Sequence, residues 1–273
     1  MSGRGEGRGV GSVKRITSVA NPIVKAARAL HQTKARRESG LFLAEGQKLV
    51  MDALQVGWVP EMIIALEPER DEDGAAQVAA RVRAAGGDVV WTSGAVMEKL
   101  ARRDNPQTMI GVFEQRLSPL ASFTAGTIVV LEGPRDPGNV GTIIRTADAA
   151  GASGAVLVGT CADPFGVEAV RATMGSIFHV PLARASGDAF AAHLAGFGGA
   201  VIGTHLAATT DVRALTPTEP QMLVMGTEQA GLSDALAALC TERVRIPMAG
   251  QADSLNLAVA TAIALYELRR PFL

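Results

Sequence analysis

"EGPRDPGNVGTIIRTADAAG", residues Glu132–Gly151, follows the apolar run "TIVVL" and sets two prolines and three glycines before or within the start of a helix. With a helix beginning after Asn139, the 3.6-residue period puts Val140, Ile143, Ile144, Ala147 and Gly151 on one face. Arg145 points away from that face. Asp148, three residues on, is placed to orient the guanidinium. Asn139 reads as the N-cap, and Gly138 and Gly141 let a substrate approach the backbone closely. On these residues alone, the stretch is either half of a reactive site or a capped helix with a surface Arg–Asp pair.

Working outward, the second half alternates apolar runs, "TIVVLEG", "GAVLVG", "SIFHVPL", "GAVIGTH", "QMLVMG" and "RVRIPM", with helical patterns. That alternation predicts a mainly parallel sheet covered on both faces. Taken alone, periodicity argues for a doubly wound, Rossmann-like sheet. Upstream, "NPIVKAARALHQTKARR" reads as one helix with Asn21 as N-cap and Pro22 at its first position. "GLFLAEG", "EMIIAL", "DVVWT" and "TMIGVFEQ" read as strands, with helices in "QKLVMDALQVG" and "GAAQVAARVRAAGG". The expected organisation is a flexible Gly/Arg-rich arm over 1–13, a small α/β domain over 14–115, a linker over 116–125 and an α/β domain over 126–273.

Composition narrows the class. With 273 residues, 48% of them hydrophobic, the chain can bury a sizeable core. No uncharged apolar run of about 18 residues stands out, and the start lacks the apolar segment of a secretory signal, so a soluble, cytoplasmic protein is expected. Cys161 and Cys240 fit reduced core residues, and four scattered histidines show no metal spacing, so no metal is expected. Net charge is −1, yet the first forty residues hold nine Lys/Arg against Glu6 and Glu38. This concentration suits either a phosphate-seeking arm or a solubilising tail and exposed helix face.

Two further stretches carry candidate chemistry. "LVMGTEQAGLS" follows an apolar strand with Gly226, Glu228 and Gly231, at the carboxyl end of a strand where open α/β sheets bind ligands. It lacks dinucleotide and P-loop spacing. "RIPMAGQADSLNLAVATAIALYEL" opens a helix at Ser254 and Asn256 whose following residues are apolar on nearly every side. That helix is expected to be buried, in the core or against a partner chain. Ser254 and Asn256 are either caps or donors to a bound cofactor.

Taken in order, "NVGTIIRTADAAG", "VMGTEQAGLS" and "IPMAGQADSLNLAVATAIALYE" resemble the three signature motifs of the SpoU (TrmH-type) RNA ribose 2'-O-methyltransferases of the SPOUT superfamily. "SVANPIVKAARAL", "FLAEGQKLV" and "NPQTMIGVFE" are similar, more loosely, to that family's L30e/L7Ae-like substrate-binding domain. The resemblance implies an α/β fold, a C-terminal SPOUT domain with a deep trefoil knot, in place of the Rossmann topology. It implies a homodimer and S-adenosylmethionine as methyl donor. By motif match, cofactor contacts fall at Gly226, Ile246 and Leu255, with Met248, Asn256 and Thr204 nearby.

The same match gives Asn139, Arg145, Glu228, Ser254 and Asn256 the catalytic positions. Arg145 corresponds to the family's catalytic arginine, for which a base role has been proposed. A guanidinium does not normally deprotonate in a protein, so the alternative is a grip on phosphate and on developing alkoxide charge. RNA contacts are expected from Arg145, Arg171, Lys25, Arg36 and Arg37. Trp58, Trp91 and Tyr266 read as packing residues in preference to a stacking platform. "GTE" stands where many members read "GSE". The expected substrate is rRNA, of the large subunit by analogy, or else tRNA. The rival readings are a non-catalytic RNA- or ribosome-binding protein of this fold and a Rossmann-type metabolic enzyme.

Overall fold

A computed structural model describes residues 9–68, 74–101, 107–205, 207–227 and 229–273. Contacts divide the chain into two units, residues 1–115 with 165–171, and residues 116–164 with 172–273.

The first unit contains β1 (Val13–Ile16), α1 (Pro22–Ala29), α2 (Thr33–Ser39), β2 (Leu41–Glu45), α3 (Gln47–Gln55), β3 (Met62–Leu66), α4 (Gly74–Ala84), β4 (Asp88–Thr92), α5 (Gly94–Ala101) and β5 (Met109–Glu114). Its sheet runs β1-β4-β3-β5-β2, parallel across β1, β4 and β3 and antiparallel where β5 meets β3 and β2. Leu43, Ile64, Val90, Met97, Leu100 and Ile110 form its core. Asn21 caps α1 by accepting from Ile23 N–H at 2.9 Å, with Pro22 behind it. The single helix read over "NPIVKAARALHQTKARR" is two, because the first ends at Ala29, capped by Leu30, and α2 begins at Thr33. The expected arm over 1–13 is already tied down at its far end. Gly11 N–H donates to the Arg83 carbonyl, Ser12 hydrogen-bonds Asp88 and Val13 enters β1. The arm's first eight residues lie outside the described residues.

The second unit contains β6 (Thr127–Glu132), α6 (Pro137–Ala149), β7 (Gly154–Val158), the end of α7 (Val167–Thr173), β8 (Leu182–Ala185), α8 (Gly187–Leu194), β9 (Ala200–Thr204), β10 (Thr210–Asp211), β11 (Gln221–Met225), α9 (Asp234–Leu239), β12 (Glu242–Arg245) and α10 (Leu257–Arg269). Its sheet runs β10-β12-β9-β11-β6-β7-β8, with every paired strand parallel. β7 and β11 are buried along their whole length, as strands covered on both faces must be. "SIFHVPL" departs from the expected strand: Ser176–Phe178 form a 3-10 turn and β8 starts only at Leu182. "RVRIPM" stops being strand at Arg245. The stretch read as a linker packs on this unit, with Phe123 buried and its carbonyl 3.0 Å from His193 Nε2.

Two helices of this unit set the site. α6 buries Val140, Ile143, Ile144 and Ala147 completely, and truncating Ile143 to Ala costs about 2–5 kcal/mol. α10 packs beside α6 and runs in the same direction. At the leading ends, Asn256 Nδ2 donates to Asn139 Oδ1 at 3.0 Å; at the trailing ends, Arg269 Nε donates to the Ala150 carbonyl at 2.9 Å. Buried Gln221 ties α10 to the sheet, its amide donating to the Leu268 carbonyl at 3.1 Å and to Thr127 Oγ1 at 2.9 Å. With both helices fixed at both ends, their N-termini face the same end of the unit.

Candidate active site

The carboxyl ends of parallel strands all lie on one edge, so β6, β9, β11 and β12 deliver Glu132, Thr204, Gly226 and Ile246 to the same side of the sheet. Glu132, Gly226 and Ile246 lead into segments that the sequence singled out.

The loop after β6 leads into α6. Its N-cap is Asp136, which accepts from Asn139 N–H at 2.8 Å, with Pro137 at the first helical position. Asn139 is therefore the third residue of the helix and not its cap, and its side chain meets Asn256 instead. "DP" at 136–137 carries the same signal as "NP" at 21–22, and reading it would have placed the cap correctly. Arg145 is exposed and, among the described residues, makes no side-chain hydrogen bond or ion pair. The expected Arg145–Asp148 pair does not form. Gly151 does not join the buried face either: the helix stops at Ala149, buried Ala150 caps it, and Gly151 is exposed with φ +67°.

The turn after β11 is very tight. Thr227 and Gly231 exchange two backbone hydrogen bonds at 2.9 and 3.0 Å, and the Thr227 hydroxyl accepts from Ala230 N–H at 3.0 Å. A Cβ on buried Gly226 would lie 1.9 Å from the Gly231 carbonyl carbon, so only glycine fits. Glu228 lies outside the described residues. Thr204, at the end of β9, donates its hydroxyl to Met225 Sδ at 3.4 Å.

After β12 the chain from Pro247 to Leu255 is exposed and, among the described residues, forms no backbone–backbone hydrogen bond. Its amides and carbonyls are open to a ligand. Ile246 is half-buried, while Met248 and Leu255 present apolar side chains, 38% and 36% exposed. Ser254 precedes the helix and does not cap it; Asn256 does, accepting from Ala258 and Val259 N–H at 2.9 and 3.3 Å. This leaves the Asn256 amide nitrogen for Asn139. α10 is not buried all round: Val259, Ile263 and Tyr266 form an exposed stripe at helical spacing, Tyr266 being 46% exposed where packing was expected.

A cleft of about 340 Å³ opens at the ends of β6 and β7 against the β11 turn, with Glu132, Gly133, Arg135, Gly159, Thr227 and Gly231 on its walls. Glu132 Oε2 accepts from Ser233 N–H at 2.8 Å. Among the described residues no three His, Cys, Asp or Glu side chains come together in a metal-holding cluster. Burial raises the thiol pKa of Cys161 and pushes that of Cys240 up to about 11.

The basic residues of the first unit divide. Lys25 and Arg37 are exposed. Arg36 is 3% exposed and turned inward, donating to the Leu30 carbonyl at 2.8 Å and to Thr33 Oγ1 at 3.0 Å, so it is not an RNA contact. It satisfies the end of α1, which the break between α1 and α2 exposes. Arg171, in the 165–171 excursion, grips the buried carboxylate of Glu45 at 2.6 and 3.0 Å. That pair holds the excursion to β2 and engages the guanidinium assigned to RNA. Trp91 is half-buried, and Trp58 packs edge-on against Phe42.

With this geometry in view, the family model for the SpoU rRNA Methylase family matches residues 126–266, and that for an MRM3-like substrate binding domain matches residues 21–111. The 23S rRNA (guanosine(2553)-2'-O)-methyltransferase RlmP of Bacillus subtilis is 34% identical over 258 residues, covering 94% of this chain and 100% of its own. An AdoMet-bound rRNA methyltransferase from Sinorhizobium meliloti superposes with a TM-score of 0.89 at 50% identity, over 96% of this chain and 99% of that one. The SpoU methyltransferase AviRb from Streptomyces viridochromogenes, in complex with AdoMet, gives 0.82 at 30% identity, over 92% and 98%. Motifs, sheet and whole-chain likeness agree: the chain belongs to the SpoU rRNA methylase family.

Proposed function

We propose that this chain transfers a methyl group from S-adenosylmethionine to a ribose 2'-hydroxyl of rRNA, with a large-subunit RNA as the substrate. One observation carries the reading: the Asn139–Asn256 hydrogen bond joins the start of the helix bearing unpaired Arg145 to the open loop before α10. The first is the substrate half of the site, the second the cofactor half.

The residues fit the cofactor. Unpaired main-chain groups over 247–255 suit a ligand held by backbone, and Ile246, Met248 and Leu255 offer apolar contacts beside Gly226, Thr204 and Asn256. S-adenosylmethionine supplies an electrophilic methyl carbon on sulfur. What the protein must do is hold a 2'-oxygen in line with that carbon. Arg145, permanently charged, grips the neighbouring phosphate and stabilises the negative charge that develops on the 2'-oxygen as its proton passes to solvent water. Asn139 positions the ribose edge, Ser254 and Asn256 stand between substrate and cofactor, and Glu228 takes, by motif match, the family's loop or substrate role.

Residues 14–115 act as an L30e/L7Ae-like substrate-binding domain, with Lys25 and Arg37 contacting RNA, and residues 126–273 as the SPOUT catalytic domain. The route of the chain from β12 back to α10 beside α6 supports the deep trefoil knot. A homodimer covers the Val259, Ile263 and Tyr266 stripe, and the enzyme works in the cytoplasm.

Calorimetry tests the cofactor half. Binding of S-adenosylmethionine is expected; binding of a nicotinamide dinucleotide in its place contradicts the proposal.

A further inference from the structure

Resting on that reading, we infer that the cleft beside Arg135 holds the nucleotide adjoining the methylated one, and that Arg135 is a substrate-positioning residue that takes its phosphate. The cleft's volume of about 340 Å³ sits at the small end of ligand sites, of a size for one nucleotide and not for an extended partner. Glycines form part of its wall. Gly133, Gly159 and Gly231 all have φ between +63° and +74°, and the positions of absent Cβ atoms on Gly159 and Gly231 face open space. A flat base can lie against such walls, with amides and carbonyls for its edge.

The charges select the ligand. Glu132 is held by Ser233 N–H at 2.8 Å, Asp136 by Asn139 N–H at 2.8 Å, and Asp163 by Arg184 at 2.6 Å. Arg135 shares the cleft wall with Glu132, is exposed, and among the described residues forms no ion pair or side-chain hydrogen bond. An unpaired guanidinium on the wall of this cleft favours a phosphate, which it can grip through two N–H groups, while the apolar part of the lining suits a base. Arg135 also lies four residues before Asn139, in the loop that leads into α6. A phosphate there fixes the register of the strand whose next ribose reaches Arg145.

The test uses the full-length protein and an unmethylated 23S rRNA transcript. Arg135→Ala is expected to raise KM for the transcript roughly tenfold, leaving kcat and S-adenosylmethionine affinity unchanged. It should also lower the salt dependence of transcript binding by about one phosphate contact. Arg135→Lys should restore the salt dependence but only part of the KM. Thr160→Trp, which fills the cleft from its exposed wall, should raise KM likewise. Wild-type KM and salt dependence in both Arg135→Ala and Thr160→Trp overturn the inference while leaving the methyltransferase reading intact. A wild-type protein that binds and methylates no RNA overturns both.

Discussion

Asn139 and Asn256 stand 117 positions apart in the chain, and their side-chain amides meet at 3.0 Å across the leading ends of two parallel-running helices. Capping orients Asn256, because Oδ1 accepts from the first amides of α10 and Nδ2 must then point to Asn139. The two functions separate by substitution. Asn256→Asp keeps an acceptor for the cap and loses the donor, while Asn256→Ala loses both. We expect Asn256→Ala to cost about 1–2 kcal/mol in urea unfolding and Asn256→Asp less. Both should impair transfer. A double-mutant cycle with Asn139→Ala should show a coupling of about 0.5–1.5 kcal/mol; zero coupling contradicts the link.

Arg145 is exposed and unpaired, so its removal leaves nothing uncompensated in the fold. Arg145→Ala should retain wild-type thermal stability and S-adenosylmethionine affinity and lose about a hundredfold or more in kcat. Loss of cofactor affinity in calorimetry contradicts the substrate-side role.

At Gly226 the cost is steric. Gly226→Ala forces a Cβ into the Gly231–Leu232 backbone at about 2 Å, so the turn must open. A loss of about 1–3 kcal/mol in stability and a weaker cofactor Kd are expected, read by melting and calorimetry.

The stripe of Val259, Ile263 and Tyr266 predicts the oligomer. Ile263→Glu should shift sedimentation from dimer to monomer without unfolding the chain, because Ile263 is 39% exposed. An unchanged sedimentation coefficient contradicts this face as the dimer surface.

Burial holds the Cys240 thiol neutral, with its pKa raised from 9.0 to about 11. The folded value lies above the unfolded one, so this group's contribution to stability is complete below pH 9 and is lost as pH rises towards 11. Alkylation of Cys240 at pH 8 should be slow in the native protein and fast in urea, measured by mass spectrometry.

The parallel sheet of the second unit was legible because its central strands β6, β7, β9 and β11 are near-continuous apolar runs, and strands buried on both faces need that pattern. β1 was not, since "VKRI" is four residues with two charges and owes its place to pairing with β4. Side-chain direction was the other limit. Arg36 sits in a basic run that suggests solvent, yet it turns inward because the end of α1 offers carbonyls to satisfy. Of the candidate site residues, Arg145 could be singled out from its position opposite the apolar face of α6. The junction with Asn256 could not, since it depends on α10 returning beside α6 from the far side of the sheet. Arg135 was not legible either, because a lone arginine in a Pro/Gly turn has no period to mark it; only the cleft gives it a role.

The most direct measurement is to incubate the protein with methyl-labelled S-adenosylmethionine and unmodified rRNA, digest the RNA and map the label. A 2'-O-methyl ribose at a defined nucleotide, absent with Arg145→Ala, is the predicted result. Label on a base, or no transfer to any RNA, contradicts it.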